Sequence, residues 1–114
     1  MLSKAQEQLL ERFIAGLKFD GYDDYHLSPQ PPHRDSDWHV QGWHGRFLML
    51  GGTVELDIFG QKFSIAEGES YEVLTDVKHR EVFGDKDAIL VIGRRKNGRP
   101  LPALTPPKVP ISLR

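Results

Sequence analysis

The chain has 114 residues, with fifteen basic and sixteen acidic side chains and a net charge of −1. That size holds one domain, and the charge balance gives no general attraction for nucleic acid. With 39% apolar and 27% charged residues the composition is that of an ordinary globular protein, and no run approaches the ~18 apolar residues a membrane span needs. Cysteine is absent, so any metal must be held by imidazole, amide or carboxylate. The opening MLSKAQEQLLERF carries charges where a signal peptide carries its apolar run. A cytoplasmic protein without a membrane partner is therefore expected.

Ser3 and Gln6 have the spacing of a capping box. Leu9, Leu10, Phe13, Ile14 and Leu17 then recur at three- and four-residue intervals. The spacing predicts one amphipathic helix over residues 4–17, ending between Gly16 and Gly21. Residues 20–37 are polar and turn-rich, and Pro29, Pro31 and Pro32 exclude helix. Tyr22, Tyr25 and Leu27 suggest a short edge strand there.

Beyond Trp38, short apolar runs alternate with glycine-bearing turns. Strands are expected over 47–50, 54–59, 62–65, 71–74, 79–83 and 88–93, broken at Gly51-Gly52, Gly60-Gln61, Glu67-Gly68 and residues 84–87. Even spacing without intervening helices predicts an all-β antiparallel sandwich or barrel. The organisation read from this is a helical segment over 1–21, a β-domain over 22–95 and a proline-rich arm over 96–114. Arg94, Arg95, Lys96 and Arg99 form a local basic cluster, read as the solvated end of the last strand.

Of the five histidines, His39 and His44 frame the run His39-Val40-Gln41-Gly42-Trp43-His44. Residues i and i+2 of a strand share a face, so His39 and Gln41 can approach one ion. His44 is five positions from His39 and faces away in an unbroken strand. Gly42 and Gly45 offer places to bend the chain and return it. His79 arrives from a distant strand after the turn at residues 75–78, and Glu81, two residues on, shares its face. Such donors suit Zn, Fe, Ni, Mn or Cu, although hydrogen-bonded structural histidines also explain the spacing. Glu81 is a candidate general base or hydrogen-bond acceptor. Arg46 is read as an ion pair at the barrel rim or a guanidinium near the pocket. Trp38, Trp43, Tyr71 and Phe83 are candidate pocket or core aromatics. His26 and His33 are read as exposed loop residues, with His33 also placed to cover the barrel mouth, and Asp35 and Asp37 as turn formers.

The stretch over residues 39–95 resembles a small single-domain cupin of the RmlC-like superfamily. His39, Gln41 and His44 stand where the first cupin motif has its ligands, and Leu50-Gly51-Gly52-Thr53 resembles the glycine turn that closes it. Gly68-Glu69 opens the second motif, His79 stands at its histidine, and Val91-Ile92-Gly93-Arg94-Arg95 resembles the end of some small bacterial cupins. Gln41 replaces a histidine, His44 stands for the usual glutamate, and Leu74 occupies a common proline position.

The resemblance implies an antiparallel double-stranded β-helix, a jelly-roll or cupin barrel, with the helix appended. It also implies a divalent transition metal (Zn, Fe, Ni or Mn) on His39, Gln41, His44 and His79. With Glu81 as the catalytic candidate, the expected function is isomerase, lyase or dioxygenase chemistry on a small polar metabolite such as a sugar acid or keto acid. The alternatives are a non-catalytic small-ligand-binding or sensor cupin, and a metal-free epimerase using histidine as base and Tyr71 as acid. The helix and arm, with the resemblance, lead to the expectation of a homodimer.

Overall fold

The computed structural model describes residues 2–96. The arm expected from residue 96 onward, beyond Lys96 itself, and Arg99 of the basic cluster lie outside the described residues. The capping box forms: Ser3 Oγ accepts from the Gln6 backbone N–H at 3.1 Å, and Gln6 Oε1 accepts from the Ser3 N–H at 2.8 Å. It starts α1 (Lys4–Phe19), which runs two residues past the expected end and stops at Asp20. Gly21 then adopts a left-handed φ of 75° that a side chain would resist.

Seven strands follow: β1 (Asp24–Gln30), β2 (His44–Gly51), β3 (Val54–Ile58), β4 (Gln61–Ile65), β5 (Ser70–Val73), β6 (His79–Phe83) and β7 (Ala88–Arg95). All pairings are antiparallel, giving one sheet in the order β1-β7-β2-β5 and another in the order β4-β3-β6. The two sheets face each other and are not joined into a closed ladder. β1 is an outer strand with Tyr25 and Leu27 exposed. Among the described residues, no helix is long and apolar enough to cross a membrane.

Every residue of β2 is buried, because both of its faces are covered. Gly45, Phe47 and Met49 point between the sheets, where Phe47 and Met49 pack with Leu56, Ile58, Tyr71 and Leu90. His44, Arg46, Leu48 and Leu50 point the other way, where Leu48, Leu50 and Val91 meet Leu9, Leu10 and Phe13 of α1. Gly45 does not bend the strand; it stays in register opposite Val73 and Arg94. Its missing side chain leaves room for the Phe47 and Trp43 rings, which an added Cβ would meet at 2.6 and 2.8 Å. Gly93 serves α1 in the same way: a Cβ there would lie 2.5 Å from a Leu17 methyl.

The helix-side face also carries a buried polar cluster. Arg46 Nη1 lies 2.7 Å from Asp20 Oδ2, and its Nε is 3.6 Å from Glu72 Oε2. His44 Nε2 is 3.0 Å from Glu72 Oε1. The Arg46 and Arg95 guanidiniums lie over the Tyr22 ring, at 4.7 and 5.6 Å from its centroid. Arg95 is therefore not at a solvated strand end; it is 1% exposed. Arg94 takes the solvent side and grips both oxygens of Asp24 at 2.8 and 2.9 Å.

Two measurements check this packing. Gly93→Ala is expected to lower unfolding free energy by about 1–3 kcal/mol through overpacking against Leu17, read as a reduced denaturation midpoint. Burial, aided by the Glu72 charge and opposed by Arg46 and Arg95, pushes the Tyr22 phenol up to about 12. An unfolded tyrosine ionises near ~10, so its contribution is fully present below pH ~10 and is lost as pH rises through the folded value. The parent should lose stability more steeply than Tyr22→Phe across that alkaline window, measured by denaturant melts.

Candidate metal centre

The segment between β1 and β2 follows the outer edge of β6. Phe83 N–H donates to Arg34 O at 2.9 Å, and Ser36 N–H donates to Glu81 O at 2.9 Å. Ser36 Oγ in turn accepts from the Glu81 N–H at 2.9 Å. His39 and His79 then exchange both backbone hydrogen bonds, at 2.9 and 3.0 Å. Asp35, expected as a turn former, instead bridges to Val82, and the chain bends at Asp37. Asp37 has a positive φ of 60°, and its N–H donates to Asp35 Oδ1 at 2.8 Å. On the outer surface Arg80 clasps Asp35, and that hydrogen bond holds the carboxyl down at about 2.

Directly opposed residues of an antiparallel pair share a face, so the His39 and His79 rings meet with centroids 4.2 Å apart. Glu81, two residues on, joins them. Its Oε1 lies 3.9 Å from each Nε2, and one ligand atom from each of His39, His79 and Glu81 lies within 4.8 Å of the others.

The outer ring nitrogens decide what the inner ones offer. His39 Nδ1 is 2.9 Å from Asp37 O, and His79 Nδ1 is 3.0 Å from Val77 O. A carbonyl only accepts, so each Nδ1 carries a proton, and in the neutral ring Nε2 is then the nitrogen that presents a lone pair inward. Burial lowers the His79 pKa, favouring that neutral form. His79 Nε2 is itself buried without a hydrogen-bond partner, an orphan that calls for one. Glu81 Oε2 accepts a short hydrogen bond from the fully buried Tyr71 hydroxyl. Tyr71 is stacked on Phe47 at 4.8 Å.

The group borders a cavity of about 230 Å³, whose polar lining is Gln30, Arg34, Ser36, His39, Gln41 and Glu81. Trp43, Phe47, Phe83, Leu90 and Ile92 supply the apolar part. The Gln41 amide nitrogen is buried and unpartnered, and turning the amide would exchange it for the oxygen. Two imidazoles, a carboxylate and an adjacent amide suit a divalent transition ion, and the orphaned His79 nitrogen fits one.

The structure brings His39, Gln41 and Glu81 to one cavity, with His79 grouped beside His39 and Glu81, and leaves His44 out. His44 begins a regular strand, opposite Arg95, and strand alternation sends its ring to the helix side against Glu72. The expected return to the His39 face is thus corrected, and Arg46 goes with His44. Glu81 stands with His39 and His79 in the group that could hold an ion, rather than beyond it. Tyr71 and Phe83 are core aromatics, Trp38 is exposed at 42%, and His26 and His33 are exposed. Arg34 was not anticipated, since nothing in a Pro-Pro-His-Arg loop announces that it borders a cavity.

No protein-family model and no curated protein sequence matches this chain. Solved structures do. A cupin-2 domain protein of Shewanella frigidimarina aligns with TM-score 0.52 and 20% identity, over 62% of this chain and 69% of that one. A structure described as DMSP lyases RdDddP and RnDddQII aligns with TM-score 0.59 and 12% identity over 65% of this chain. The chain spans only 38% of that protein. The polyketide cyclase RemF of Streptomyces resistomycificus aligns with TM-score 0.55 and 18% identity, over 80% and 68%. The fold is that of a small cupin.

Tyr71→Phe keeps the stacked ring and removes only the donor to Glu81. It is expected to weaken metal affinity about tenfold, the usual scale for a partner that orients a ligand. His44→Gln should leave that affinity unchanged. Titration with a competing chelator reads both, and equal losses in the two variants would contradict this placement.

Proposed function

We propose that His39, His79 and Glu81, with the Gln41 amide beside them, hold one divalent transition ion, and that the barrel performs proton-transfer chemistry on a small keto or hydroxy acid. The observation that carries this is the pair of imidazoles locked through Nδ1 with both Nε2 atoms 3.9 Å from one carboxylate oxygen. An ion bound there supplies Lewis-acid polarisation of a substrate carbonyl or hydroxyl oxygen.

The remaining work falls to side chains of this chain. Arg34 borders the cavity, and its planar fork suits a substrate carboxylate. The Trp43, Phe47 and Phe83 side restricts water. Among the described residues Glu81 is the only carboxylate lining the cavity. It takes the proton from the carbon next to the substrate carbonyl and returns it in an isomerisation, or keeps it while a leaving group departs in a lyase reaction. Solved structures of this fold that are described as a DMSP lyase and a polyketide cyclase support chemistry of this breadth. They name no substrate for this chain.

One observation favours a second reading, a barrel that binds a small ligand without turnover. Both Glu81 oxygens are already engaged, one with Tyr71 and one facing the imidazoles. The two readings separate in one series. Elemental analysis should find about one ion per chain, lost in His39→Ala and in His79→Ala. The loaded protein, incubated with keto acids in D2O, should exchange the α-proton as followed by NMR. Exchange should vanish on chelation and in Glu81→Gln. Bound metal without exchange for any acid supports the binding barrel, and exchange that survives chelation supports the metal-free epimerase. A parent that takes up no ion after reloading with Fe, Zn, Ni or Mn overturns the metal centre.

A further inference from the structure

A second cavity, of about 300 Å³, lies on the other side of β2, between α1 and the edge strand β5. Leu9, Arg12, Phe13 and Gly16 of the helix line it, facing Arg46, Leu48, Gly68 and Ser70. Among the described residues it shares none of its lining with the cavity that borders His39 and Glu81. We propose that this cavity is a binding site for a short-chain aliphatic carboxylate, held by Arg46, Arg12 and Ser70 at its head and by Leu9, Phe13 and Leu48 along its tail.

Three observations carry the assignment. The first is Arg46, whose side chain is 6% exposed yet whose Nη2 is buried with no hydrogen-bond partner. A guanidinium N–H withdrawn from water and left unpaired is costly, and a carboxylate oxygen is its best-matched acceptor. The second is charge. Asp20 and Glu72 face Arg46, so the pair of acids balances Arg46 and the neighbouring Arg95. Among the described residues no acid lines the cavity itself, and Arg12 on the exposed side of α1 adds one positive charge. An anion entering there meets net attraction, with the Ser70 hydroxyl as a further donor.

The third is shape and chemistry. At about 30 Å³ per water-sized group, the space holds roughly eight to ten heavy atoms. That is a carboxylate on a chain of about five to seven further carbons. The tail walls are aliphatic and aromatic, which excludes a fully polar anion such as inorganic phosphate as the best fit. Gly16 and Gly68 put no side chain into the site, and an added Cβ would reach Arg46 Nη1 at 4.0 Å from Gly16 and Leu9 at 3.9 Å from Gly68, ordinary contact distances.

Hexanoate is the probe, hexan-1-ol its uncharged counterpart, and inorganic phosphate the polar control. The full chain, uniformly 15N-labelled, is titrated with each and followed through its amide resonances. Hexanoate should give saturable shifts at Gly16, Gly68 and Ser70, with hexanol and phosphate at least about tenfold weaker. Arg12→Glu, on an exposed helix position and so without risk to folding, should weaken hexanoate about tenfold or more. Leu9→Trp should fill the cavity and abolish the shifts, while amide spectra show that each variant is folded. Non-saturating or scattered shifts overturn the site. So does equal binding of alcohol and acid, tighter binding of phosphate, shifts centred on His39 and His79, or an Arg12→Glu variant that binds hexanoate as the parent does.

Discussion

The candidate centre depends on one pair of backbone hydrogen bonds, those exchanged by His39 and His79. β6 is already paired with β3 on one side. Its other edge would be open if the segment from Arg34 to His39 did not lie along it. That segment contributes only isolated bridges, at Asp35–Val82 and His39–His79. The second bridge nevertheless sets two side chains 40 residues apart directly opposite each other. Everything else about the centre follows. The rings face inward because β6 does, Glu81 joins by alternation, and Tyr71 reaches it from the opposite sheet. The turn at Asp37 and the turn before His79 then supply the carbonyls that fix both ring tautomers.

Burial on this scaffold is two-sided. Between the sheets lie apolar side chains with the His–His–Glu group among them, while beneath the helix lie apolar side chains with an ionic cluster among them. Buried charges require partners, or their desolvation outweighs what they contribute. Here Asp20 and Glu72 meet Arg46, and Glu72 also meets His44. The cluster explains why α1 stops where it does, since its C-cap Asp20 is one of the buried partners. A helix two residues shorter, as periodicity alone suggests, would not deliver that carboxylate to Arg46.

Much of the fold was legible because strands and turns are local matters. Glycine-bearing breaks and β-branched or aromatic runs placed the last six strands within three residues at either end, and Ser3–Gln6 marked the helix start. Part of the centre was legible as well, since the two-residue rule puts Glu81 beside His79 and Gln41 beside His39. His44 was misassigned because glycine has two uses in a strand. Gly45 was read as a bend, whereas it makes space for Phe47 and Trp43, and simple alternation already sent His44 to the far face. The Tyr71–Glu81 contact and the position of Arg34 were not legible. Both depend on how separate segments meet between the two sheets, which no local pattern encodes.

Because β2 buries apolar groups on one face and, on the other, His44 and Arg46 ahead of Leu48 and Leu50, its alignment is policed from two directions at once. A slip of one residue would carry His44 and Arg46 into the apolar interior and push Phe47 and Met49 against Asp20 and Glu72. Most half-exposed strands pay for such an error on one face only. Here the irregularity between Met49 and Gly51 marks the one place along the strand where the count is reset. An inserted or deleted residue should thus be tolerated there, if anywhere in β2, and nowhere upstream of it. The strand behaves as a ruler shared by two rooms, and lengthening it for one misplaces the furniture of both.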